Sequence, residues 1–185
     1  MLLSLLTLPT LNMKLAITIS LTAAAAAAAL SGNATTTRYY DGAEGACGCG
    51  TSSGCYSWQT GISTGVYTAA GSQALFGSDG STWCGSGCGT CYQLTSTGSS
   101  PCSTCGTGGV SGESMTVMVT NLCPYSSNAQ WCPEVGGTND YGYSYHFDIM
   151  AESEVFGDNV VVDFEEVDCP SAATSDYAQC SCASS

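Results

Sequence analysis

Apolar positions in this chain fall in short β-branched runs, broken every few residues by Gly, Ser or Thr, and no segment sustains a 3.6-residue apolar period. The pattern predicts a mainly β domain. Its clearest strands are 115–120 (MTVMVT), 145–150 (YHFDIM) and 160–164 (VVVDF), with 91–95 (CYQLT) a fourth. Short helices are expected over 69–76 and 151–156. A small closed or half-closed barrel suits such a pattern, because closure removes exposed strand edges. Segments 97–112 and 125–140 carry few apolar residues besides Trp131 and are expected to be cysteine-tied loops that wall a cleft.

The first residues follow a different rule. Lys14 precedes an apolar run from Leu15 to Leu30 that contains seven consecutive alanines, and Gly32-Asn33-Ala34 offers small residues where a signal peptidase looks for them. Residues 1–34 are therefore expected to be a signal peptide, cleaved after Ala34, with Met13 as an alternative start. The run is shorter than the roughly 20 residues a membrane span needs and lacks a flanking basic cluster, so no membrane anchoring is expected. Residues 35–185 suit one secreted domain, with no linker leading to a second.

Export changes the meaning of the cysteines. All thirteen lie after residue 34, which in an exported chain favours a disulfide framework over metal ligation. Because the number is odd, one lacks an intrachain partner, and Cys55 is nominated. Cys88-x-x-Cys91 and Cys102-x-x-Cys105 have zinc-ribbon spacing, a weaker reading in an oxidising compartment. No metal or cofactor is called for. Past Ala34 no Asn-x-Ser/Thr sequon remains, so no N-glycan is expected.

Charge narrows the partners. Fifteen acidic residues stand against two basic ones, and after residue 34 only Arg38 is left. Nucleic acid, anionic lipid and acidic polysaccharide are excluded as partners, and a neutral polymer fits better. The domain is expected to act as a monomer.

Two aspartates stand out. Asp41 follows Thr37-Arg38-Tyr39-Tyr40, and Asp148 sits between Phe147 and Ile149 in a predicted strand. Strand alternation admits a plain reading, with Phe147 and Ile149 inward and His146 and Asp148 on solvent. The pattern favours that plain reading over a carboxyl kept for a purpose, although burying one without purpose is costly. His146 has no adjacent Ser or Cys nucleophile motif and reads as a structural partner for a loop. Arg38 is placed to anchor a carboxylate near Asp41. Asn121 either orients a water through its amide or closes the turn before Pro124. Asp140, in the loop before the predicted strand, reads on its own as an Asx-turn residue. Sugar rings present apolar faces, so aromatic residues should line a glycan groove: Tyr39, Trp58, Trp83, Trp131, Tyr141 and Tyr143 are the candidates, and each tryptophan reads equally well as core. Trp83, beside Cys84, is expected to be the most buried tryptophan.

Thr37-Arg38-Tyr39-Tyr40-Asp41, Gly45-Ala46-Cys47-Gly48, Trp83-Cys84, Cys91-Tyr92-Gln93-Leu94-Thr95, Val119-Thr120-Asn121-Leu122-Cys123-Pro124 and His146-Phe147-Asp148 occur in an order that resembles the glycoside hydrolase family 45 endoglucanases, in the fungal branch with the Asn-Leu-Cys-Pro segment. The resemblance implies an all-β fold, a six-stranded double-psi β-barrel with an open groove, and hydrolysis of a neutral β-1,4-glucan with inversion. It implies Asp41 as general base and Asp148 as general acid, with Asp140, in a loop where some family members carry an accessory Asp, as a third candidate. Inversion independently asks for one protonated and one ionised carboxyl, roughly 6.5 to 9.5 Å apart. Asp148, among apolar neighbours, is the better acid. An expansin-like or loosenin-like protein, which loosens cell walls without hydrolysis, is the alternative; Asp41 favours the enzyme.

Overall fold

The computed structural model describes residues 28–40, 44–50, 65–78, 80–151 and 153–184. Asp41, Cys55 and Trp58, together with most of the expected signal peptide, lie outside the described residues. Six strands close into a barrel: β1 (Ser31–Tyr39), β2 (Val66–Gly71), β3 (Cys91–Ser96), β4 (Ser114–Leu122), β5 (His146–Met150) and β6 (Val161–Val167), in the cyclic order β1-β5-β2-β4-β3-β6. Pairs β1/β5 and β2/β4 are parallel; the other four are antiparallel. This mixed closed barrel is of the double-psi type, and the all-β expectation holds.

Inside the barrel, Phe147 meets Tyr92 and Phe164 with ring centroids 5.3 and 5.5 Å apart, in tilted and edge-on arrangements. Val66, Leu94, Val117, Val119 and Val162 fill the rest and are fully buried. Three short helices, α1 (Gln73–Phe76), α2 (Tyr125–Asn128) and α3 (Ser171–Tyr177), sit between or after strands.

Two expected helices are corrected. Residues 69–71 belong to β2, where Ala69 and Ala70 pair with Ile149 and Asp148, and the helix begins only at Gln73. The alanines suggested helix by propensity, and barrel closure overrode it. No helix forms over the described part of 151–156. The Ala151 N–H bonds to Tyr39 O and Phe156 is buried in the core, so tertiary contacts at both ends hold the segment in bends.

Six disulfides join Cys47–Cys88, Cys49–Cys180, Cys84–Cys182, Cys91–Cys169, Cys102–Cys105 and Cys123–Cys132. Both zinc-spaced pairs are thereby used up. Twelve of the thirteen cysteines are paired with one another, which leaves Cys55 with no cysteine to bond within the chain. Three bridges converge on segment 44–50, residue 84 and the C-terminal turn. Gly45 permits that approach: a Cβ there would stand 2.7 Å from Thr120 O. Trp83 departs from expectation, being 62% exposed. Cys84 takes a left-handed φ of 60° to reach Cys182, so the bridge anchors the backbone while the neighbouring indole turns outward.

Candidate active site

β5 builds the site by simple alternation. Phe147 and Ile149 point into the barrel, and His146 and Asp148 point out. The outer side is not solvent, however. Residues 123–143, tied by Cys123–Cys132, fold over it and bring Trp131 to 5.8 Å from the His146 ring. His146 is fully buried and Asp148 is largely covered. The plain surface reading of this pair therefore fails, although the directions it assigned were right.

A chain of hydrogen bonds runs from the covering loop to Asp148. Thr37 Oγ1 donates to Asp148 Oδ1 at 2.7 Å, which commits its hydrogen. Its lone pair then receives His146 Nε2–H at 2.8 Å. His146 Nδ1, left as acceptor, takes the Thr35 hydroxyl at 2.7 Å, and Thr35 Oγ1 accepts from Asn139 Nδ2 at 2.9 Å. The network fixes one neutral tautomer of the histidine. Burial holds its pKa down to about 3, so it stays uncharged. Desolvation pushes the Asp148 carboxyl up to about 6, against the opposing pull of the Thr37 hydrogen bond. Strand register places Thr35 opposite His146 and Thr37 opposite Asp148, so the ladder needs no loop to hold it.

Asn139 is the hinge of the covering loop. Its Nδ2 also bonds Trp131 O at 3.0 Å, and its Oδ1 receives the N–H groups of Tyr141 and Tyr143. Sequence reasoning pointed to the neighbouring Asp140, which is exposed and whose carboxylate is not part of this chain of bonds. A buried Asn in a Gly-Gly-Thr-Asn turn gives no sequence signal that separates it from an ordinary turn residue.

Around Asp148 lies an open groove of about 410 Å3, lined by Thr37, Arg38, Tyr40, Asn128, Trp131, Asp158 and Asn159. Arg38 Nε donates to Tyr40 OH at 2.7 Å, and its Nη1 pairs with Glu154 at 3.2 Å. Trp131 packs on Tyr141 with centroids 4.6 Å apart. Tyr39 is half-buried, packed with Trp131 against the cluster of Ala70, Cys123 and Cys132. Tyr40, not foreseen, is the exposed tyrosine on the groove wall. Asp158 and Asn159 were likewise not singled out; Asn159 takes a left-handed φ of 52° and ties loop 97–112 to the start of β6 by a bond to Cys105 O. The Cys123, Cys132 and His146 heteroatoms lie within 4.8 Å of one another, but the two sulfurs are bonded together and offer no thiolate to a metal.

Asn121 sits two strands away. Thr37, Asp148, Ala70 and Asn121 form one row across β1, β5, β2 and β4. Two strand spacings put Asp148 and Asn121 roughly 10 Å apart along it. Asn121 Oδ1 receives Ala46 N–H at 2.7 Å and Leu122 N–H at 2.9 Å, so its orientation is set and the amide NH2 is the group left to face a ligand.

The raised Asp148 carboxyl thus sits in an open groove walled by Tyr40 and Trp131 on a double-psi barrel. The family model described as EXPB1-like domain 1 matches residues 34–184. Endoglucanase-5 of Hypocrea jecorina is 72% identical over 149 residues, 80% of this chain and 62% of that protein. The endoglucanase of Mytilus edulis is 41% identical, covering 81% of this chain and 90% of its own. Among solved structures, a GH45 endoglucanase in complex with cellobiose aligns with a TM-score of 0.71 at 35% identity, over 84% of this chain and 90% of that one. The blue mussel β-1,4-D-endoglucanase Cel45A aligns with a TM-score of 0.70 at 38% identity, over 83% and 92%. The chain belongs to the glycoside hydrolase family 45 endoglucanases. It spans about 62% of the length of the Hypocrea relative.

Proposed function

We propose that the chain is a secreted endo-β-1,4-glucanase that cleaves internal bonds of a neutral β-glucan with inversion, using Asp148 as general acid and Asp41 as general base. The carrying observation is the Asp148 carboxyl. It is held near pKa 6 by burial, is oriented by Thr37, and lines the groove. A group with that pKa is protonated in mildly acidic medium and can deliver its proton to the leaving glycosidic oxygen. Asp41 directly follows Tyr40 in the sequence, and Arg38 holds the Tyr40 hydroxyl at the groove wall. Ionised, Asp41 would take a proton from the water that attacks the anomeric carbon from the opposite face. The Asn121 amide NH2 is suited to hold that water or a sugar hydroxyl, and Tyr39, Trp131 and Tyr141 supply apolar faces for pyranose rings.

The two named endoglucanase relatives support a β-glucan substrate. The test is the release of reducing ends from barley β-glucan with rapid loss of viscosity, followed by proton NMR of the first product. An α-anomer first is expected. A β-anomer would overturn inversion, and wall loosening with no reducing ends would overturn hydrolysis in favour of the expansin-like reading.

A further inference from the structure

We propose that Trp83 forms a distal glucan-binding subsite on the far side of Asn121 from Asp148, which makes the cleft two-armed. This rests on the glucanase reading. Beyond Asn121 lies a second open depression of about 390 Å3, lined by Glu44, Ala46, Gly80, Ser81, Thr82, Trp83 and Leu122, with Asn121 at its edge. The row Asp148, Ala70, Asn121 links it to the first groove, and Tyr39 packs against the Ala70 cluster between the two. The Trp83 indole is 62% exposed and lines this depression, so its face is open to a ligand there.

Its surroundings are those of a sugar site. One flat aromatic face stands among small hydroxyl side chains and backbone, with a single carboxylate, Glu44, to accept hydroxyl hydrogens. The Cys84–Cys182 bridge and the Cys84 N–H bond to Ala46 O fix the backbone next to Trp83, so the indole's attachment point needs no ordering on binding. The occupant is the continuation of the same β-glucan chain past the scissile bond, since both arms open on one row.

The experiment measures cellohexaose and cellotriose binding by titration calorimetry in an Asp148→Asn background, and hydrolysis in the native protein. Trp83→Ala should weaken cellohexaose binding about tenfold, the worth of one good aromatic contact. It should lower the cellohexaose-to-cellotriose ratio of kcat/KM similarly, and Trp83→Phe should restore most of the loss. Trp83→Gln serves as the second truncation if Trp83→Ala is poorly folded. Unchanged cellohexaose binding in a folded truncation overturns the subsite. A native protein that releases no reducing ends, yet binds cellohexaose through Trp83, overturns the glucanase reading and leaves the subsite standing.

A second inference rests on β1 alone. Residues 31–35 pair with β6 from Glu165 to Val161, and Ala34 is fully buried, so a cut after Ala34 would strip four residues from the barrel. We infer that processing occurs upstream of Asn33, where Ala27 and Ala29 also offer small residues, and that the retained Asn33-Ala34-Thr35 is an N-glycosylation site. Asn33 is exposed, pairs with Asp163 one strand away from Thr95, and does not line the Asp148 groove. Protein secreted from a eukaryotic host should begin before Asn33 and lose hexose mass with peptide N-glycosidase, leaving Asp at position 33; Asn33→Gln should lack that mass. An N-terminus at Thr35, or an unmodified Asn33 peptide, overturns it.

Discussion

The two faces of β5 are both covered, but by different means and to different degrees. Inside, Phe147 and Ile149 are covered by aromatic and aliphatic side chains, and the gain is removal of apolar area from water. Outside, His146 and Asp148 are covered by a loop, and every polar atom on the path must find a partner or cost desolvation energy. Two hydrogen bonds meet that demand at the histidine ring, while the one from Thr37 leaves the carboxyl only partly compensated, which is why its proton is held so firmly. The inner face thus sets stability, and the outer face sets chemistry at some expense of stability.

The largest expected effect is on the outer face. Asp148→Asn should lower reducing-sugar release by roughly 10² to 10⁴-fold, the usual worth of a general acid. The same variant should be more stable than the parent in alkali. A carboxyl raised from 3.8 to about 6 on folding weakens the folded state as pH rises through that interval, is neutral in effect below about 4, and exerts its full penalty above 6. The gain should therefore be on the order of 2–3 kcal/mol at pH 8 and vanish by pH 4, read from urea unfolding at several pH values. A variant that is inactive and equally destabilised at all pH values would deny the contrast between the faces.

Phe147→Ala is the counterpart on the inner face. It removes a fully buried ring from contact with Tyr92 and Phe164 and should cost about 3–5 kcal/mol, measured by urea unfolding. Whatever remains folded should keep the parent's pH profile. A shifted profile would show that the two faces are not separable.

His146 supplies the opposing pH signature. Its folded pKa of about 3 lies below the ordinary 6.5, so stability is lost as pH falls from about 6.5 toward 3. His146→Gln should flatten that acid limb while weakening the Thr35 and Thr37 ties. A limb unchanged in the variant would assign acid unfolding to other groups.

How far the sequence disclosed all this differs between the same two faces. The β-branched runs of β3, β4, β5 and β6 announced themselves because inward positions must be apolar. β1 stayed hidden: Ser31 to Tyr39 is rich in Thr and adjoins an alanine tract that reads as a signal peptide, and its threonines are there to bond His146, Val160 and Asp148 rather than to pack. β2 was obscured by Ala69, which packs in the barrel core, and Ala70, whose smallness suits the crowded outer cluster under Tyr39. Asp148 was legible as a residue but not as a buried one, because burial comes from a loop that crosses back from residues 123–143. Tertiary covering of an outward strand face leaves no period in the sequence. The exposure of Trp83 was misjudged for a related reason: a disulfide fixes the backbone of its own cysteine and says nothing of the neighbour's side chain.

The smallest expected effect isolates the link between the faces and the chemistry. Thr37→Val keeps the shape of β1 and its register with Asp148 but removes the hydroxyl that donates to Oδ1. That bond lowers the carboxyl's pKa against desolvation, so without it the proton is held more tightly still. The alkaline limb of kcat should move upward by about one pH unit, because hydrogen bonds to charged groups are worth about 1.5–3 kcal/mol and part of the loss is regained by water. His146 Nε2–H loses its acceptor in the same step, so stability should fall by about 1 kcal/mol at any pH where the imidazole is neutral. Thr37→Ser, which restores the hydroxyl without the methyl, should return the limb to its place. A limb that moves down in Thr37→Val would mean that the hydroxyl, not burial, holds the proton on Asp148, and that the outer face works by donation rather than by exclusion of water.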